Sequence, residues 1–145
     1  MNVLGSGSVG HLIGLVASVA FGAMIGLERQ LRHHPAGLHT NALVALGSAA
    51  FVIAGAMVDD NTGLGRIAGQ VVTGVGFLCA GVIMHQGATV KGINTAATVW
   101  CSSAVGVLAG LGMTSWAGIV TALVVVTNVL LHYVEHRIIG TKEDT

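Results

Sequence analysis

The sequence predicts an all-α membrane protein, a compact bundle of about five transmembrane helices that forms one domain over residues 1–145. Hydrophobic residues make up 53% of the chain and charged residues only 8%, too few to cover a water-exposed surface. Twenty-two glycines would weaken soluble helices, whereas in lipid they let helix backbones approach closely. Five segments lack Asp, Glu, Lys and Arg and are close to the roughly 20 residues that span a bilayer. They are Val9–Leu27, Asn41–Val58, Ile67–Met84, Thr95–Gly112 and Ser115–Val134. None alternates apolar and polar residues, so a β-barrel is the weaker alternative.

The first predicted helix has a small residue at every fourth position, which makes one flat stripe for packing against another helix. The stripe consists of Gly10, Gly14, Ser18, Gly22 and Gly26. No Lys or Arg precedes the apolar run, so we expect a retained helix and not a secretory signal. The helix leads directly into Glu28 and Arg29, which mark the point where hydrocarbon gives way to headgroups.

Glu28 has two interpretations. Arg32 lies four residues further along, so the two side chains can form an ion pair at the end of the helix. Alternatively, Glu28 meets Lys91 or the polar end of another helix as part of a functional site.

Polar residues also mark the connections on either side of the second helix. Pro35 and Gly37 indicate a turn in which no helix continues. After the second helix, Asp59 and Asp60 offer the hard oxygen ligands that Mg²⁺ prefers. A solvent-exposed turn has the same composition, and we favour the turn.

The third and fourth helices carry polar side chains that must find partners in lipid, so we expect most of them to face the bundle interior. They are Gln70, Thr73, Asn94, Thr95 and Thr98. The fourth helix also has a stripe of small residues, which runs from Thr98 to Gly110. Only Met113 and Thr114 separate helices four and five, which predicts an antiparallel hairpin.

The distribution of Lys and Arg predicts that the amino terminus is outside and the carboxyl terminus cytoplasmic. Five crossings then place most cations on the cytoplasmic side. These are Arg29, Arg32, Lys91, Arg137 and Lys142. Arg66 is left outside. The net charge is zero, so the chain offers no basic face for nucleic acid.

One motif matches an enzyme signature, because His132 to His136 has the H-x-x-E-H spacing of the inverted zincins. A zinc enzyme needs a third protein ligand from a further domain, so we interpret these histidines as interfacial polar groups. Cys79 and Cys101 lie in apolar segments and are predicted to be free thiols. We predict neither enzymatic activity nor a cofactor.

Four motifs in series resemble the membrane domain of the MgtC/SapB family, over about Gly22 to Gly112. They are IGLERQ, PAGLHTNALVALG, RIAGQVVTGVGFLCAGVI and KGINTAATVWCSSAVGVLAGLG. The resemblance implies a multi-pass protein of the bacterial inner membrane, linked to growth under low magnesium and, in pathogens, to virulence. It also implies a regulator that acts on membrane partners, among them the F-type ATP synthase.

The resemblance assigns functional interest to nine positions of this sequence. They are Glu28, Arg29, Thr40, Asn41, Arg66, Gln70, Asn94, Thr95 and Cys101. Two departures from the family pattern stand out. His39 replaces an Arg that many members carry, so a fixed cation becomes a group that titrates near neutrality. The carboxy-terminal ACT-like domain of the longer members has no counterpart in this sequence.

Two functions follow. The first is a regulator that binds other membrane proteins, with the lipid bilayer as its environment and homo-oligomers expected. The alternative is a transporter or channel for Mg²⁺ or another small ion, formed by an oligomer. Gln70, Thr73 and Thr98 would line its path, although the predicted helices contain no Asp or Glu near the midplane.

Overall fold

The computed structural model describes residues 6–58, 63–86, 89–134 and 137, and within them the chain forms five long α-helices. They are α1 (Ser6–Leu31), α2 (Leu38–Val58), α3 (Leu64–Val82), α4 (Ile93–Gly110) and α5 (Thr114–Val134). Each is long and apolar enough to cross a membrane. The predicted class, an all-α multi-pass membrane bundle, is therefore confirmed.

Each helix overlaps its predicted segment, with bounds that differ by a few residues. α1 continues through the charged residues to Leu31, because helical hydrogen bonds do not end where the hydrocarbon ends. α3 ends early because the chain turns into a short antiparallel hairpin. Its strands are β1 (Met84–Gln86) and β2 (Thr89–Lys91), which the sequence analysis did not predict.

The fourth helix lies at the centre of the bundle, where it contacts each of the other four. α1 packs against α2, α4 and α5, whereas α3 packs against α2 and α4. Successive helices are antiparallel, so α1, α3 and α5 end where α2 and α4 begin. We call this side of the bundle the polar end, because Arg29 of α1 meets Thr95 of α4 there.

The small-residue stripes of α1 and α4 are the places of closest helix approach, as predicted. A side-chain carbon added at Gly22 would lie 2.6 Å from the carbonyl oxygen of Asn41 in α2. One added at Gly110 would lie 2.8 Å from the carbonyl oxygen of Ala49. Gly10, by contrast, has no neighbour within 4 Å, so the contact stripe of α1 begins one turn later than predicted.

The turn between α1 and α2 contains Pro35, as the sequence predicts. Two residues adopt left-handed backbone conformations there, His33 with φ 59° and Ala36 with φ 55°. The reversal of the chain therefore does not depend on Gly37. Immediately before α4, Gly92 has φ 91°, a conformation that side chains with a Cβ rarely adopt.

Candidate functional site at the polar end of the bundle

Glu28 forms the predicted ion pair, with its Oε1 2.7 Å from Nε of Arg32. The pair is less solvated than an ordinary surface pair, because the Glu28 side chain is only 9% exposed. Nδ2 of Asn128 in α5 also donates a long hydrogen bond of 3.4 Å to Oε2. The carboxylate therefore links α1 to α5. The sequence analysis did not single out Asn128, although a single amide side chain in an apolar helix needs a hydrogen-bond partner.

Arg29 points into the bundle and is 2% exposed. Its Nη2 donates a hydrogen bond of 2.8 Å to Oγ1 of Thr95, in the first turn of α4. Its Nε is also buried, but finds no acceptor among the described residues. A guanidinium has five N–H groups, so a buried one with a single neutral acceptor is incompletely satisfied.

Asn41 is fully buried and uses all of its hydrogen-bonding groups. Its Nδ2 donates to the carbonyl oxygens of Ala36 at 2.6 Å and Gly37 at 3.0 Å. Its Oδ1 accepts from the hydroxyl of Ser102, in α4, at 2.7 Å. The side-chain amide of Asn41 therefore joins the α1–α2 turn and the start of α2 to the central helix α4 by hydrogen bonds.

A second polar contact joins α2 to α4 deeper in the bundle. The hydroxyls of Ser48 and Ser103 are 2.8 Å apart, and that of Ser48 also lies 2.8 Å from the carbonyl oxygen of Val44. If Ser48 donates to Val44, Ser103 must donate to Ser48, which satisfies both. The sequence does not predict this pairing, because it depends on how α2 and α4 face each other.

The nine positions singled out from the sequence fall into separate places. Three are buried in the contacts described above: Arg29, Asn41 and Thr95. Glu28 is partly covered, and Cys101 is half-buried on α4. Thr40 and Asn94 are exposed at the polar end, as is His39.

Arg66 and Gln70 lie far from the other predicted residues, in the first turns of α3. They are exposed near the opposite end of the bundle, because α3 runs antiparallel to α4 and reaches the polar end at Cys79. The polar residues proposed as an ion path are separated in the same way. Thr73 is exposed on α3, whereas Thr98 is buried in α4 and bonds to the carbonyl oxygen of Asn94. Within one chain they do not line a common path.

Only some of the metal ligands considered from the sequence lie among the described residues. His132 packs edge-on against His34, with 6.3 Å between ring centroids. Glu135, His136, Asp59 and Asp60 lie outside the described residues. In the part of the chain that the structure describes, no three His, Cys, Asp or Glu side chains form a group that could hold a metal ion. Cys79 and Cys101 are free thiols, as predicted.

An apolar groove runs between α2 and α3, with a volume of about 880 Å³. Phe51 lines it from α2 and Leu78 from α3. Gly47 and Gly74 also line it, and neither has a neighbour within 4 Å of the position its Cβ would take. Gln70 is the amide in its wall. The groove is therefore open and mostly apolar, and at its glycines another helix could approach the backbones of α2 and α3 closely.

Comparisons with known proteins identify the family of this chain. The model of the MgtC family matches residues 15–137. The protein MgtC of Brucella abortus (strain 2308) is 49% identical over 117 residues, which cover 81% of this chain and 49% of that protein. The protein MgtC of Salmonella typhimurium (strain 14028s / SGSC 2262) is 48% identical over 128 residues, 88% of this chain and 55% of that protein. The chain thus spans about half the length of the curated relatives it matches. No solved structure matches it.

Proposed function

This chain belongs to the MgtC family, and from that premise we propose that it is an inner-membrane regulatory protein, not an enzyme, that acts by binding other membrane proteins. The proposed role is adaptation to low magnesium, together with virulence if the organism is a pathogen. The F-type ATP synthase is the proposed partner. We also propose that the polar end faces the cytoplasm.

The observation that carries the proposal is the outward face of α3. Val71, Val75 and Cys79 form its buried face. On its other faces, Gly69, Gly74, Gly76 and Gly81 have no neighbour within 4 Å of where a Cβ would be.

In lipid, hydrophobic burial contributes little to helix association, which depends instead on close packing at small residues. Most glycines of α1 and both glycines of α4 are already used in this way inside the bundle: Gly14, Gly22, Gly26, Gly106 and Gly110. Those of α3 are not, so a transmembrane helix of another protein can pack there. Gln70 offers such a helix one interhelical hydrogen bond.

Filling the groove tests this proposal. Gly74→Leu places a side chain where the partner helix would lie, and we expect it to abolish partner binding at normal membrane levels. Ala122→Leu is the matched control, because it adds similar bulk on the exposed side of α5. The measurement is photo-cross-linking from position 78 in native membranes, with mass spectrometry of the products, beside growth and ATP level in low magnesium.

The expected result is that the unmodified chain cross-links to a membrane subunit of the F-type ATP synthase. Gly74→Leu should lose both this product and the growth phenotype, while Ala122→Leu keeps both. Cross-linking only to lipid, with growth unaffected by Gly74→Leu, would exclude the groove as the binding surface. Cation flux through the purified chain in proteoliposomes would instead support the transport alternative.

A further inference from the structure

We propose that the polar end contains a binding site for a phosphate-type oxyanion, formed by the N-terminus of α4 and the side chains of Arg29 and Thr95. The ligand class is phosphate, either as the free ion or a monoester in the cytoplasm or as the diester of a lipid headgroup. This site is distinct from the groove between α2 and α3, so the two proposals can fail separately.

The first observation is the way in which α4 begins. Its N-cap residue is Gly92, and no side chain caps the helix there. The first helical hydrogen bond runs from the N–H of Ala96 to the carbonyl oxygen of Gly92, at 2.9 Å. The preceding N–H groups of a helix have no intrahelical acceptor, and together with the macrodipole they favour an anion. Ile93 and Asn94 are exposed, so the described part of the chain leaves this helix end uncovered.

The second observation is Arg29, which enters the same turn from α1. It is 2% exposed, yet its one described hydrogen bond is to the neutral hydroxyl of Thr95, and its buried Nε lacks an acceptor. Leaving an N–H of a buried cation unsatisfied is costly, and an oxyanion beside it would remove that cost. Thr95 accepts from Arg29 through Oγ1, so its hydroxyl hydrogen remains available for the same ligand.

The charge balance around the site also favours an anion. Among the described residues Glu28 is the only carboxylate; it also attracts the neighbouring Arg29, but its ion pair is formed with Arg32. Lys91 lies two positions before α4, which places another cation at this helix start. Guanidinium groups bind phosphate oxygens in a planar, bidentate fashion, so Arg29 suits a phosphate better than a chloride ion.

The test uses the full chain, purified in neutral detergent free of anionic lipid. Inorganic phosphate is titrated while the side-chain Nε–H signal of Arg29 and the backbone amide signals of Asn94 and Thr95 are followed by NMR. A second arm compares nanodiscs of phosphatidylcholine with nanodiscs that also contain phosphatidylglycerol. We expect saturable shifts confined to these signals. Saturation with phosphate alone identifies a free phosphate ligand, and saturation only with phosphatidylglycerol identifies a lipid headgroup.

Two variants remove donors from the site. Arg29→Lys keeps the charge and loses Nε, and Thr95→Val keeps the side-chain shape and loses the hydroxyl. Each should weaken binding about tenfold or more, since one charge-assisted hydrogen bond is lost. Arg66→Gln is the control, because it removes one cation at the other end of the bundle.

Wild-type protein that shows no saturable shift with either probe would overturn the proposal, and this result needs no variant to fold. Weakening by Arg66→Gln, with no weakening by Arg29→Lys or Thr95→Val, would overturn it as well, because binding would then follow total charge and not this site.

Discussion

At the scale of single residues, the buried polar side chains determine how the polar end is held together. Asn41 makes three hydrogen bonds to two other parts of the chain, and no water is expected to replace them because the residue is fully buried. Its neighbour Thr40 is exposed in the same turn. Two adjacent residues that the family resemblance marks alike are therefore in opposite environments, which the sequence alone does not distinguish.

This contrast gives a stability prediction. Asn41→Ala removes three hydrogen bonds and leaves two carbonyls and a hydroxyl with fewer partners. At about 0.6–1.5 kcal/mol for each hydrogen bond, we expect the free energy of unfolding to fall by about 2–4 kcal/mol. Thr40→Ala should change the free energy of unfolding by less than about 0.5 kcal/mol. Reversible unfolding in mixed detergent micelles measures both, and equal effects would contradict the assigned burial.

The ion pair between Glu28 and Arg32 allows a second prediction at this scale. The Glu28 side chain is 9% exposed and that of Arg32 is 27% exposed, so solvent screens the pair only in part. A double-mutant cycle with Glu28→Gln and Arg32→Gln should give a coupling energy of about 1 kcal/mol. The same cycle with Arg66 in place of Arg32 should give none. A coupling near zero in both cycles would mean that the pair contributes nothing to stability.

At the scale of helices, the sequence predicted element number, approximate bounds and the packing stripes of α1 and α4. These follow from apolar length and four-residue spacing, which are local properties of the chain. The hairpin of β1 and β2 was not predicted, because strands of three residues leave no periodic signal. The sequence also does not show which glycines contact the backbone of another helix. Gly76 and Gly106 both lie inside apolar helices, yet only Gly106 contacts another backbone.

This difference between the two glycines is measurable. A Cβ at Gly106 would collide with the backbone of Ala45, so Gly106→Ala must separate α4 from α2. We expect a loss of about 1–3 kcal/mol or more in unfolding free energy. Gly76→Ala meets nothing within 4 Å and improves helix propensity, so it should be neutral or stabilising by up to about 1 kcal/mol. Thermal unfolding of the two variants in one detergent compares them directly, and destabilisation by both would contradict the open face of α3.

At the scale of the whole molecule, the contacts at the polar end could be foreseen only in part. Antiparallel helices predict that Glu28, Arg29, Asn41 and Thr95 share one end, and the structure places them there. Their partners depend on the rotation of each helix about its axis, which sequence spacing constrains weakly in a bundle rich in glycine. Arg29 is an example, because its place after the first apolar segment predicts its depth but not that it turns inward and is buried.

The orientation of the bundle in the membrane is the last prediction, and it rests on the positions of the cations. Arg29, Arg32, Lys91 and Arg137 belong to the polar end, whereas Arg66 begins α3 at the other. Because short cytoplasmic segments retain Lys and Arg, we expect the polar end inside. In a chain with Cys79 and Cys101 replaced, single cysteines are placed at the exposed positions Gly65 and His39. A membrane-impermeant maleimide should label Gly65→Cys in intact spheroplasts and label His39→Cys only after permeabilisation. Labelling in the reverse order would invert the orientation and would place the proposed phosphate site on the outer surface.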